Sequence, residues 1–178
     1  MTMTEVVTIG VGAVTASTLR AVQPALMYLD GRFVEDRVLV FDRFDIADAW
    51  DLGVRLREAG LAAAHPIVIS IRRHGQRLFH AALPGSSSDN DAWADRKAAV
   101  VERYGHSSYL VGTEFRAGGK DFDTHGRLDP NRFAAHGGSF PVLIRDVGCV
   151  GSITVSGLPQ ADDHSLVVAT VEAFLTGP

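Results

Sequence analysis

The chain has 178 residues, 46% of them apolar and 21% charged, a size and balance that fit one globular domain with a substantial core. A formal charge of −4, with no Lys/Arg block, offers no footprint for gripping a phosphate backbone, so nucleic acid is not an expected partner. The single cysteine, Cys149, rules out an internal disulfide framework and a Cys-rich metal site, and a reducing, cytoplasmic setting is expected.

Residues 1–37 differ from the rest and read as an amino-terminal extension for packing or subunit contact. Their start is apolar from Val6 to Val14. It carries Glu5, lacks a preceding Lys or Arg, and does not read as a cleaved signal. The run LRAVQPALMYLDGRF predicts a short helix that Pro24 interrupts and Asp30-Gly31 ends. No apolar run reaches the roughly 18 residues of a membrane span, so no membrane partner is expected.

A single domain is predicted over residues 38–178. The stretch RVLVF reads as a short strand, and Asp45 with Asp48 resembles a capping box that opens a helix to about Ala63. Ala49, Leu52, Leu56 and Ala59 give that helix its apolar stripe. A hairpin follows. With a three-residue loop His74-Gly75-Gln76, Ile67, Ile69 and Ile71 oppose Leu83, Ala81 and Phe79 on one face, and Ser70 opposes His80 on the other. A two-residue turn would set Arg72 against Arg77, so the three-residue loop is preferred.

Ser88 with Asp91 is the expected cap of a second helix, running to about Tyr104. Trp93, Lys97, Val100 and Tyr104 share one of its faces. Lys97 therefore either lays its stem on the core and reaches water, or holds an anion. Residues 106–133 read as loops with turns at AGGK and LDPN. Strands are expected at Phe140–Ile144 and Cys149–Ser156, then a helix from about Gln160 to Leu175 with Asp162 and Asp163 in its first turn.

Among the histidines, His80 beside Ser70 can be a neutral imidazole with a local partner. His136 precedes Gly137-Gly138, where backbone N–H groups can approach a ligand closely. In Asp162-Asp163-His164, successive side chains diverge by about 100° on a helix, which argues against a shared metal site. No G-x-S-x-G, H-E-x-x-H or G-x-G-x-x-G signature appears.

The runs IRRxxxxLFHAALPG, DNxxWxxRKxxVVERYxHSS and AAHGGxFPxxIRxVGxVGSxTVSGLPQxxDH together resemble the haem-degrading or haem-binding domain family. That family includes an extracellular haem-binding sensor of actinobacteria, glycolate-operon accessory proteins and the carboxy-terminal domain of some corrinoid adenosyltransferases. The motifs agree best with a widespread, functionally uncharacterised branch of bacterial and fungal proteins, over about residues 38–175. The resemblance implies a profilin-like α/β (α+β) sandwich, with a five-stranded antiparallel sheet flanked by helices, assembled as a ring-like homo-oligomer. The branch commonly reads I-D-I-R-R where this chain has Ile69-Ser70-Ile71-Arg72-Arg73, so the carboxylate expected beside His80 is replaced by Ser70.

The function implied is haem or tetrapyrrole binding, with haem degradation as the associated chemistry. Haem would be held non-covalently, since no C-x-x-C-H motif is present. His80 or His136 would meet the iron, His80 would be the catalytic candidate, and Arg72, Arg73, Lys97, His136, Gly137 and Gly138 would contact the ligand. Two alternatives stand beside this: an enzyme acting on a small organic acid or carbonyl compound through these His, Arg and Lys side chains, and a non-catalytic oligomeric scaffold or accessory protein.

Overall fold

The structure is a computed structural model that describes residues 39–177. The amino-terminal extension, its expected helix, and Arg37 and Val38 of the first expected strand lie outside those residues. Helix α1 (Ile46–Ala62) opens on the expected capping box: Asp45 Oδ1 accepts from the N–H groups of Ala47 (2.8 Å) and Asp48 (3.1 Å), and Asp48 Oδ2 accepts from Asp45 N–H at 2.8 Å. Its buried residues Ala49, Leu52 and Leu56 follow the expected stripe, but Ala59, its expected fourth member, is exposed and Gly60 is buried instead.

Strands β1 (Val68–Arg73) and β2 (Gln76–Ala82) form the hairpin, with Ile69, Ser70 and Ile71 opposite Ala81, His80 and Phe79 as expected. The turn end differs. A bulge past Ile71 leaves Leu78 as the extra residue, and beyond it Arg72 does face Arg77 across a two-residue turn. His74 and Gly75 both have positive φ (50° and 78°), the conformation of the hairpin turn whose twist matches the strands. The like-charge objection fails because Asp95 comes from the next helix to sit between the guanidiniums, bonded to Arg72 and, at 2.9 Å, to Arg77 Nη2.

With β3 (Ser139–Ile144) and β4 (Gly148–Ser156) these strands make one antiparallel sheet in the order β2-β1-β4-β3. Among the described residues the sheet has four strands, not the five expected. Of RVLVF, Phe41 makes an isolated parallel bridge to Ile144, donating to Leu143 O (2.7 Å) and accepting from Arg145 N–H (2.9 Å). The chain enters α1 within four residues, so no ladder can extend there, and the Phe41 ring packs into the core against Phe44 and Phe174.

The two sheet faces are chemically different. One carries Ile67, Ile69, Ile71, Phe140, Val142, Ile153 and Val155, and packs on α1 and on α5 (Gln160–Thr176). The other carries Ser70, Ser139, Ser152, Thr154 and Ser156, all buried, and packs on α2 (Ser88–Tyr104) through Ala94, Ala98 and Val101.

Residues 106–133, expected as loops, hold helix α3 (Ser108–Ala117) and the single turn α4 (Phe122–His125). Ser107 Oγ caps α3 by accepting from Leu110 N–H at 3.2 Å. Gly112 in mid-helix weakens the sequence signal, yet packing requires it: a Cβ there would lie 2.0 Å from Ala135 O. Gly112→Ala should therefore cost about 1–3 kcal/mol by forcing α3 off the loop before β3. Urea unfolding checks this, the expected result being a lower midpoint at unchanged slope.

Candidate functional site

The start of α2, the loop before β3, the end of β4 and the start of α5 enclose a cleft of about 250 Å³. Helix α2 begins at Ser88, so its cap is Ser87, one residue before the expected Ser88, and the Ser87 N–H donates to Asn90 Oδ1 at 2.8 Å. Trp93 and Lys97, one turn apart, then face the cleft, while Val100 and Tyr104 join Val111, Phe115, Phe122 and Ala135 in a small separate apolar cluster. The stripe expected as one face thus splits into a site half and a packing half.

Lys97 is 3% exposed and forms the floor of the cleft. Its Nζ donates to Asp163 Oδ2 at 2.8 Å and to Val155 O at 3.3 Å. Asp163 also accepts from the N–H groups of Leu158 (3.0 Å, at Oδ1) and Gly157 (3.3 Å, at Oδ2). Burial holds Lys97 below the usual lysine range and Asp163 above the usual carboxylate range, and the attraction of each for the other offsets part of both shifts. Gly138, at φ +119°, passes so close that a Cβ would lie 2.4 Å from Val155 O and 2.9 Å from Lys97 Nζ.

His136 forms one wall. Its ring stands edge-on to Trp93 at 5.2 Å, and the Arg96 guanidinium lies 4.0 Å from the Trp93 ring centroid. Burial lowers the pKa of His136 below the ordinary 6.5; Asp123 opposes this, and the nearby charges of Lys97, Arg116 and Arg96 add to it. Among the described residues none hydrogen-bonds the imidazole. The outcome at neutral pH is an uncharged, half-buried ring lining the cleft.

The other sequence-predicted residues sit elsewhere. His80 Nε2 pairs with Asp91 Oδ1 at 2.7 Å on the outer side of α2, so the carboxylate that Ser70 does not supply comes from that helix instead. Arg72 bonds Asp95, and Arg73 Nη1 donates to Phe44 O at 3.0 Å. The structure therefore brings together Lys97, His136, Gly137 and Gly138, and leaves His80, Arg72 and Arg73 outside the cleft. Asp163 and His164 diverge: the carboxylate goes to Lys97 and the ring stacks on Tyr109 at 4.7 Å. Among the described residues no three His, Cys, Asp or Glu side chains could hold a metal ion, and no helix is long and apolar enough to cross a membrane.

Sequence reasoning missed Trp93, Ser156, Gln160 and Asp163 as cleft residues. The signal for Asp163 was its place in the first turn of a helix, where dipole compensation was a sufficient account. Nothing local announces a partner 66 residues away.

An antiparallel sheet between helical layers, with a polar cleft at the ends of two helices, defines an α+β fold with a candidate small-ligand site. A family model described as haem degrading protein HbpS-like matches residues 44–172, and the chain belongs to that family. It is 58% identical over 141 residues to a UPF0303 protein of Streptomyces coelicolor, covering 79% of this chain and 89% of the relative. A UPF0303 protein of Burkholderia thailandensis is 47% identical over 143 residues, covering 80% of this chain and 86% of that one. Among solved structures, Ybr137w superposes with TM-score 0.73 at 31% identity over 80% of this chain and 84% of its own. The PduOC:heme complex shares the fold, with TM-score 0.61 at 19% identity over 73% and 94%.

Two predictions follow from this geometry. Lys97→Met leaves Asp163 buried without its cation and should cost about 3–5 kcal/mol, whereas the paired Lys97→Met/Asp163→Leu change should recover part of that loss in chemical denaturation. For His136, the folded form binds a proton less readily than the unfolded form, so its stabilising contribution is present above pH 6.5 and is lost as pH falls through the depressed folded value. Thermal midpoints of wild type and His136→Gln at pH 7.5 and 5.5 test the sign. The variant should gain on wild type in acid, and parallel pH dependences would show the ring to be fully hydrated.

Proposed function

We propose that the protein binds haem or a related tetrapyrrole at this cleft, with His136 as the iron ligand. The observation that carries the reading is the His136 imidazole, kept neutral by burial, without a protein hydrogen-bond partner, and set against Trp93. A metal-ligating histidine must be deprotonated, and an aromatic wall suits a planar macrocycle. His80 is the weaker ligand, because its Nε2 is already engaged by Asp91. Family membership and the haem-bound PduOC structure support the choice of ligand.

The donor set fits the group, and Arg96 and Arg116, close enough to His136 to influence its charge, suit its propionates. The volume fits only one edge of it: about 250 Å³ lies below the ~300–1,000 Å³ of pockets that enclose a drug-sized ligand. The remaining rim would face solvent or a second subunit, in keeping with a homo-oligomer. When bound, the iron would supply redox and oxygen chemistry, while the protein residues bind, orient and shield it. Haem degradation is the finer reading, supported by the family description.

Haemin titration of the purified protein tests this. A saturable Soret shift is expected in wild type and in His80→Ala, with affinity reduced at least tenfold in His136→Ala. Equal, unsaturable binding in all three proteins would reject the site. Decay of the bound Soret band with ascorbate and oxygen, with release of a bilin or free iron, separates turnover from simple binding.

A further inference from the structure

The first turns of two 17-residue helices open onto the same cleft, Asp89 and Asn90 from α2 and Gln160 and Asp163 from α5. A helix N-terminus carries about half a positive charge and N–H groups without intrahelical partners. On α2 the cap is closed by Ser87 and Asn90. On α5 it is not. The N-cap is Pro159, which offers no accepting side chain, and the N–H groups of Asp162 and Asp163 turn back onto Pro159 O at 2.8 and 3.0 Å. The N–H groups of Gln160 and Ala161 meet no acceptor among the described residues.

A second, independent feature points to the same place. Ser156, at the end of β4, is 3% exposed and lines the cleft, and among the described residues its hydroxyl has no hydrogen-bond partner. Its Oγ opens onto the cleft, where a guest can meet it. Trp93 and Leu158 add apolar wall, and the Lys97–Asp163 pair leaves the floor neutral overall. Asp89, exposed on the rim, disfavours a doubly charged guest.

We infer that the cleft contains a seat for a singly charged carboxylate, held by Ser156 Oγ and the Gln160 N–H group, with the organic body of the ligand lying against Trp93. The inference rests on the tetrapyrrole reading only for the source of the carboxylate, which is either a porphyrin propionate or a free small organic acid.

The test uses the full chain carrying Trp50→Phe, which leaves Trp93 as the sole tryptophan. Sodium propionate, haemin and haemin dimethyl ester are titrated separately against Trp93 emission, with sodium chloride as the ionic-strength control. Propionate should give a saturable change that Ser156→Ala weakens by about tenfold or more, the value of one hydrogen bond to a charged group. Ser156→Asp, which tethers a carboxylate in the seat, should abolish it, and circular dichroism identifies folded variants; should Ser156→Asp not fold, Ser156→Ala decides. A preference for haemin over its ester that Ser156→Ala removes supports the seat and assigns the carboxylate to the porphyrin. Propionate binding with no such preference supports it and assigns the free acid. No saturable response to propionate, or one unchanged in Ser156→Ala, overturns the inference. Propionate binding without haemin binding sinks the tetrapyrrole reading and leaves the seat standing.

Discussion

The ion pair between Lys97 and Asp163 ties the architecture together. It runs from α2 on one side of the sheet to α5 on the other, around the end of β4, and gathers Val155 O and the Gly157 and Leu158 N–H groups on the way. Two charges this deep are expensive to desolvate, and the cost is offset by two acceptors for the ammonium group and three donors to the carboxylate. It also constrains the sequence around it. The second glycine of Gly137-Gly138 must lack a side chain, because a Cβ would press on the ammonium group and on the carbonyl it bonds. The glycine pair and TVSGLP, 16 residues apart, thus serve one interaction.

What could be read from the sequence was local. The Asp45–Asp48 capping box, the central hairpin register, strands β3 and β4 and helix α5 all carry their signals within a few residues. Errors arose where a distant residue changed the outcome. The turn that places Arg72 opposite Arg77 looked unfavourable until Asp95, 18 residues beyond Arg77, entered between them. Helix α3 was hidden because Gly112 answers to Ala135, a contact that no helical periodicity records. The fifth strand was over-read because an apolar run such as RVLVF serves a core as well as a ladder, and Phe41 is used mainly for the core.

The site followed the same division. Lys97 and His136 stood out by residue type and surroundings, and both line the cleft. Their states could not be read in advance, because they depend on what each side chain meets. His80 and His136 show the contrast: the first lies toward solvent with a carboxylate at 2.7 Å, the second is half-buried among cations and has no protein hydrogen bond among the described residues. One chain thereby holds two imidazoles of different character, the first anchored and the second available.

The hydroxyl-lined face of the sheet has an energetic consequence. Aliphatic surface removed from water contributes roughly 25 cal/mol per Å², whereas serine hydroxyls contribute little, so the apolar part of the α2 contact comes mainly from Ala94, Ala98 and Val101 on the helix. Ionic contacts along α2 add to this, through Asp91, Asp95 and Lys97. The first two are exposed enough to be screened by salt, while the third is not. The helix that forms the wall of the cleft is therefore fixed at one buried point that salt does not reach, while its outer ionic contacts weaken as ionic strength rises.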